Sequence, residues 1–248
     1  MKTTHFFIGP GRSGTSWLFD AMIKTRQIIV PVIKEPAFFD THFHRGLAWY
    51  EHLYLPCAAG SKPMGRVDFS NRYYMNNAAL LRIREYNPEA TIIFIHRDHR
   101  ELFRSMLYFE VRKGLPRRAI ETMAAQKYRE SHCENQIKRL RQIFGTQMII
   151  IDFEQIRRGE LKQIYTQIGL PDLTVINNNF TNALMVPRAA WMGRMAKNLA
   201  LWLRRHEMFG ILQRLKRMQL IRAVLFLQGK EFTEIAYVET LIKKYFPE

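Results

Sequence analysis

Cysteine is nearly absent from this chain: its 248 residues hold only Cys57 and Cys133. The two are too far apart for a Cys-x-x-Cys pair, which excludes a disulfide framework and a thiolate metal site. Both read as buried or free thiols of a reducing compartment. The eight histidines contain no His-x-x-x-His array, and no metal is expected. No apolar run approaches the ~20 residues that cross a bilayer. Met1-Lys2-Thr3-Thr4 leads straight into an apolar segment without a leader-like pattern, so the expected location is cytoplasmic. Acidic residues are also scarce, 22 against 38 Lys and Arg, for a net charge of +16. Such a surface favours polyanions, anionic membranes or anionic cofactors.

What the chain does have is concentrated near its start. Residues 6–18 read FFIGPGRSGTSWL. An apolar strand runs into a Gly-rich turn, and a helical pattern follows. In such a loop the backbone N–H groups converge on one spot and the helix dipole adds partial positive charge there. The arrangement is a phosphate cradle. The spacing from Gly9 to Gly14 matches the GxxxxGK[ST] loop of nucleotide hydrolases. The Lys position, however, holds Thr15, and the nearest cation is Arg12, three residues earlier. Nucleotide hydrolases need that Lys on the β/γ-phosphates. This loop therefore suits a nucleotide whose reacting group is something other than a phosphoryl.

Short apolar runs at 5–8, 27–30, 91–95 and 147–151 read as buried parallel strands. Helical patterns at 17–24, 76–86, 100–113 and 118–144 lie between them. The alternation predicts an α/β, three-layer, P-loop-like fold: a central parallel β-sheet flanked by helices. After Asp172 strand signals stop. Residues 189–228 read as two amphipathic helices broken near 208–210, and a last helix is expected at 232–245. With no repeat and no low-complexity linker, the expectation is a single domain over 1–248. Its α/β nucleotide-binding core covers 1–172, and 173–248 forms a helical C-terminal extension.

Three segments carry a family resemblance. GPGRSGTSWL resembles the 5′-phosphosulfate loop of sulfotransferases that use 3′-phosphoadenosine 5′-phosphosulfate (PAPS). Lys34-Glu35-Pro36-Ala37-Phe38-Phe39-Asp40 resembles the KExxFFD segment of heparan-sulfate-type and related bacterial sulfotransferases. Ile92-Ile93-Phe94-Ile95-His96-Arg97-Asp98, with Ser105 eight residues after Arg97, resembles the family's 3′-phosphate site. The segments occur in the family's order over roughly residues 5–110, and resemblance is much weaker toward the C-terminus.

The resemblance implies a sulfuryl transfer from PAPS to an acceptor hydroxyl, with adenosine 3′,5′-bisphosphate as product and no metal. Arg12 is expected to bridge the leaving phosphate and sulfuryl oxygens, an electrostatic role a guanidinium fills with paired hydrogen bonds. Ser13, Gly14, Thr15, Ser16 and Trp17 are expected around the 5′ end of the donor. Glu35 is the candidate general base, and Lys34 either binds sulfate or holds Glu35 ionised. Arg97 and Ser105 are expected at the 3′-phosphate. Where some relatives have a His two residues after the Glu, this chain has Ala37. Asp68-Phe69-Ser70-Asn71-Arg72-Tyr73 loosely resembles the family's acceptor-side E-K-[ST]-P-x-Y segment, with Phe69 in place of the Lys. Met148–Asp152 mimics a Walker B strand, and Asp152 and Glu154 are read as structural.

Between Met185 and Leu225 lie nine Lys or Arg against one acid, Glu207. Three roles fit these basic helices: covering the PAPS cleft, with Arg188 and Arg194 nearest; binding an anionic acceptor such as an acidic glycan or glycolipid; or peripheral contact with an anionic membrane. In the last case Leu201, Trp202, Leu203, Ile211, Leu212, Leu215 and Phe226 form the inserted face, although core packing accounts for most of them. Nucleic acid is not an expected partner. Two other readings stay open: a P-loop kinase or nucleotide hydrolase, and a non-catalytic polyanion-binding protein. The acceptor itself, whether carbohydrate, glycolipid or small metabolite, is not named by any motif.

Overall fold

Five short strands form one parallel sheet in the computed structural model of the chain. They are β1 (His5–Ile8), β2 (Ile28–Ile29), β3 (Gly65–Asp68), β4 (Thr91–His96) and β5 (Met148–Asp152). Their order is β2-β3-β1-β4-β5, and every neighbouring pair is parallel. The structure describes residues 1–25, 27–54, 63–113, 115–170, 185–187, 190–217, 226–228 and 233–247. Helices flank the sheet, as the alternating pattern predicts.

β1 sits in the middle, with Phe6 opposite Ile92 and Phe7 opposite Ile93. Consecutive strand residues point to opposite faces. Phe6, Phe7 and Ile8 are all fully buried, as are Ile92 to Ile95, so both faces of these strands are covered. That explains why they read as continuous apolar runs rather than alternating ones.

The chain divides into two compact units, one of residues 1–97 and 133–179, the other of residues 98–132 and 180–248. The first holds the sheet with α1 (Thr15–Thr25), α2 (Gly46–His52) and α3 (Asn77–Tyr86). The second unit begins with α4 (His99–Arg112) and α5 (Arg117–Ser131). The chain then returns to the first with α6 (Glu134–Phe144), α7 (Phe153–Arg157) and α8 (Leu161–Gln167). The core of the first unit joins Phe7, Trp17, Leu18, Met22, Phe69, Ile93, Ile95, Ile151, Ile156 and Ile164. Phe7 stacks on Phe69 at 4.2 Å between ring centroids, and Phe19 meets Phe69 edge-on at 5.4 Å. Each such fully buried side chain contributes about 1.5–3 kcal/mol.

The second unit is completed by an antiparallel pair, β6 (Met185–Pro187) with β7 (Phe226–Gln228), and by α9 (Ala190–Arg205), α10 (Phe209–Arg217) and α11 (Thr233–Tyr245). Phe103, Leu107, Val111, Ile120, Ala124, Val238, Leu241 and Ile242 make its core. Arg104 grips Glu239 with a two-pronged contact, both N···O distances 3.1 Å, and Tyr108 donates to the same carboxylate at 2.7 Å.

Two elements go unforeseen and two sequence expectations are corrected. The sequence pattern does not announce β3: its Gly-Arg-Val-Asp composition carries little β propensity, yet all four residues are buried. Nor does it announce α2. The single helix expected over 118–144 is two, α5 and α6. Ser131 donates its hydroxyl to the Tyr128 carbonyl at 2.8 Å and His132 turns extended (ψ 94), which ends α5. Strand structure does recur after Asp172, as β6 and β7. Asp152 caps α7: its side chain accepts from Glu154 N at 2.9 Å, and Gln155 reaches back to Asp152 N at 3.1 Å. That capping box gives Asp152 the structural role expected of it.

Candidate active site

The turn after β1 is built by backbone that ordinary residues avoid. Gly9 has φ 129 and Gly14 φ 83. A Cβ on Gly14 would sit 3.2 Å from the Ile156 side chain, a tight approach, and at φ 83 any side chain is strained. Between them Arg12 takes φ 72, left-handed despite its side chain. Such a residue costs of order 1–3 kcal/mol and persists where surrounding contacts fix it. One fixing contact is clear: the Arg97 NH1 group donates to the Arg12 carbonyl at 2.7 Å. α1 then starts at Thr15, with Trp17 N and Leu18 N both bonded to the Gly14 carbonyl. An α-helix leaves its first N–H groups without intrahelical acceptors. The Ser13 hydroxyl is buried at the same turn and has no hydrogen-bond partner, a position that costs about 1–3 kcal/mol if nothing answers it.

The second segment is bent in the same manner. Glu35 has φ 65 and Ala37 φ 52, flanking Pro36. Ala37 N donates to Ser70 Oγ at 2.9 Å, and Phe39 N donates to the Tyr73 hydroxyl at 3.2 Å. Phe38 and Phe39 are fully buried, Phe38 stacked on Tyr50 at 4.7 Å and Phe39 edge-on to Phe6 at 5.6 Å. The two phenylalanines therefore anchor the segment in the core and leave its start at the surface. Glu35 Oε1 accepts from Lys34 Nζ at 3.0 Å and from Asn71 Nδ2 at 3.3 Å. The Glu35 side chain is 40% exposed, reachable from solvent while held by two donors.

Asn71 ties the two segments together. Its carbonyl accepts the Gly9 N–H at 3.0 Å, at the entrance of the turn, while its amide reaches Glu35. Its Oδ1 is buried without a partner. In the sequence Asn71 falls inside a weakly matching segment, where nothing assigns it a role.

Beneath Asn71 lies a buried polar cluster. Asp68 is fully buried, and desolvation pushes its carboxyl up to about 6, against the opposing effect of its hydrogen bonds to Ser70, Tyr50 and Tyr73. Tyr50 donates to Asp68 Oδ2 at 2.8 Å and Tyr73 donates to the same oxygen at 3.3 Å. Tyr54 donates to the Tyr50 hydroxyl at 2.8 Å. Burial and the nearby carboxylate raise all three phenols above the ordinary tyrosine range. Tyr73 thus receives Phe39 N on one side and gives its proton to Asp68 on the other, which fixes where the Glu35 segment begins its turn.

The sequence-derived residues fall into place unevenly. Arg12, Ser13, Gly14, Thr15 and Ser16 form the turn and the start of α1; Lys34 and Glu35 adjoin it through Asn71. The Trp17 indole is buried in the apolar core, and its backbone N–H is bonded to the Gly14 carbonyl. Arg97 directly follows β4, with its guanidinium 4.2 Å from the Phe153 ring centroid and one N–H on the loop carbonyl. Ser105 is half-buried on α4, in the second unit. Arg188 lies outside the described residues.

The fold is one that sulfotransferases share. A crystal structure of a sulfotransferase from Alicyclobacillus acidocaldarius superposes with a TM-score of 0.58 at 19% identity, covering 84% of this chain and 95% of that one. The sulfotransferase domain from the curacin biosynthetic pathway aligns with a TM-score of 0.47 at 14% identity, over 74% and 82% of the two chains. No family model matches the chain, and no curated protein matches it. At these identities the likeness is one of fold.

Proposed function

We propose that the chain is a sulfotransferase that uses PAPS and sulfates a hydroxyl of a carbohydrate, glycolipid or small metabolite. One observation carries the reading: Asn71 bonds the phosphate-type turn through its backbone and the Glu35 carboxylate through its side chain. An anion cradle and a solvent-reachable base thereby become neighbours of one residue.

The turn suits the sulfated nucleotide. The buried Ser13 hydroxyl without a partner calls for an acceptor such as a phosphate oxygen, and the helix N-terminus favours negative charge. When bound, the donor supplies an activated sulfuryl group. The chain supplies the rest. Arg12 and the α1 N-terminus hold negative charge at the phosphate end and offset it as it grows. Glu35 takes the proton of the acceptor hydroxyl. Lys34 and Asn71 fix the Glu35 carboxylate in place. Arg97 braces Arg12 through its carbonyl and reads the 3′-phosphate.

The test pairs binding with transfer. Thermal shift should favour adenosine 3′,5′-bisphosphate over ATP with Mg²⁺, and labelled sulfate should pass from PAPS to members of a hydroxyl-acceptor panel. Preference for ATP with Mg²⁺ overturns the reading in favour of a P-loop kinase or hydrolase. Polyanion binding that survives Arg12→Ala and Glu35→Ala, with no transfer to any acceptor, overturns it in favour of a binding protein.

A further inference from the structure

Helices α9 and α10 carry an apolar face that the second unit does not use. Among their described side chains Leu203 and Leu212 are buried, 3% and 4% exposed. Met195, Leu199, Leu201, Trp202 and Ile211 are 45–63% exposed, and they are the large apolar side chains exposed among the described residues of this unit. At 100° per residue, Met195, Leu199 and Trp202 fall on one stripe of α9. His206 continues it, its ring centroid 4.5 Å from that of Trp202. The helix then closes without glycine: Glu207 takes φ 56, Met208 N returns to the Leu203 carbonyl at 2.9 Å, and α10 begins two residues later. The junction keeps the two helices adjacent, and α10 adds Ile211 as a further exposed apolar side chain.

The charge of the two helices has one sign. α9 and α10 together carry Arg194, Lys197, Arg204, Arg205, Arg214, Lys216 and Arg217, with Glu207 the one acid between them. A polyanion such as heparin or RNA is bound by cations and has no use for Met195, Leu199 and Ile211 turned to solvent. An anionic bilayer uses both parts: the apolar stripe enters the acyl boundary while the basic residues meet the headgroups. Among the described residues no helix is long and apolar enough to cross a membrane, so the contact is one of lying on the surface.

We propose that α9 and α10 dock the protein on an anionic lipid surface through Met195, Leu199, Trp202 and Ile211. This does not depend on the sulfotransferase reading. The full chain is sedimented with vesicles of equal parts phosphatidylglycerol and phosphatidylcholine, and with vesicles of phosphatidylcholine alone. The expected result is binding to the mixed vesicles only, weakened by salt, and a loss of at least ~10-fold in Leu199→Glu/Trp202→Glu. The milder Leu199→Gln/Trp202→Gln is carried alongside and should lose binding in the same direction with an unchanged melting temperature. Heparin binding of both variants should stay near wild type. Wild-type tryptophan emission should shift to the blue on the mixed vesicles, and the shift should shrink in Trp202→Phe. No vesicle binding, vesicle binding unchanged in the glutamine variant, or capture by heparin alone overturns the proposal, the last assigning the face to a polyanion.

Discussion

The two units handle charged groups in opposite ways. In the second, Arg104, Glu101, Glu239 and Tyr108 satisfy one another, and Glu110 is buried between Lys113 and Lys127. Side chains pair with side chains on regular helices. In the first, Arg12 and Glu35 sit on left-handed backbone, Ser13 and Asn71 bury oxygens without partners, and Asp68 is a carboxyl sunk among phenols. Of the four non-glycine residues with positive φ among the described residues, three are Arg12, Glu35 and Ala37. Left-handed backbone and the unpartnered Ser13 and Asn71 oxygens meet at the turn and the Glu35 segment, where the proposed function places a ligand, while these helices of the second unit neutralise their charges in place.

The sharpest way to break that contrast is at Glu35. Glu35→Gln keeps the shape and removes the base, so transfer should fall by ~10²–10⁴-fold while the thermal shift with adenosine 3′,5′-bisphosphate stays near wild type. Wild-type turnover in this variant would leave the carboxylate without its assigned task.

Asp68 tests the buried cluster through pH. Its carboxyl titrates near 6 in the folded chain against an ordinary 3.8, so the folded state binds the extra proton between those values. Stability is therefore greatest below the unfolded value and declines as pH rises toward 6, by roughly 3 kcal/mol for a shift of this size. Asp68→Asn should flatten that slope between pH 4 and 6 in urea unfolding. A slope identical to wild type would mean that Asp68 is ionised throughout.

Arg97→Ala should weaken adenosine 3′,5′-bisphosphate by about 10-fold or more, because it removes a charge-assisted hydrogen bond together with the brace on Arg12. Adenosine 5′-phosphate should be weakened less, since only the brace concerns it. Equal weakening of both in calorimetry would move the 3′-phosphate site off Arg97. The smallest effect belongs to the second unit. Arg104→Ala removes a partly exposed pair and should cost at most ~1 kcal/mol in chemical unfolding, with nucleotide affinity untouched.

Part of this architecture is legible from the residues alone. The turn from Gly9 to Thr15 shows in sequence because its glycines and its place between strand and helix are local properties. Phe38 and Phe39 show because they are apolar beside a charged pair. Asn71 does not show, because its meaning comes from Gly9 and from a Glu35 side chain 36 residues away. β3 is hidden for a related reason: Arg66 and Asp68 look like loop residues until Tyr54, with its ring 3.6 Å from the Arg66 guanidinium, and Tyr50 are placed around them. The apolar residues of α9 and α10 are visible as a set, but which of them turn inward depends on packing that periodicity alone cannot assign. Arg97 reads in sequence as a ligand-binding cation, and its bond to the loop carbonyl adds a bracing role that no motif encodes.

The left-handed Arg12 has an evolutionary corollary. Glycine at this position would relax the turn and gain about 1 kcal/mol of backbone ease, so a screen for heat resistance alone should drift toward Arg12→Gly. On the proposed function, the same drift would silence the cradle. Selection for the anion it is proposed to hold then keeps this arginine in a place where the polypeptide on its own would be better off without it.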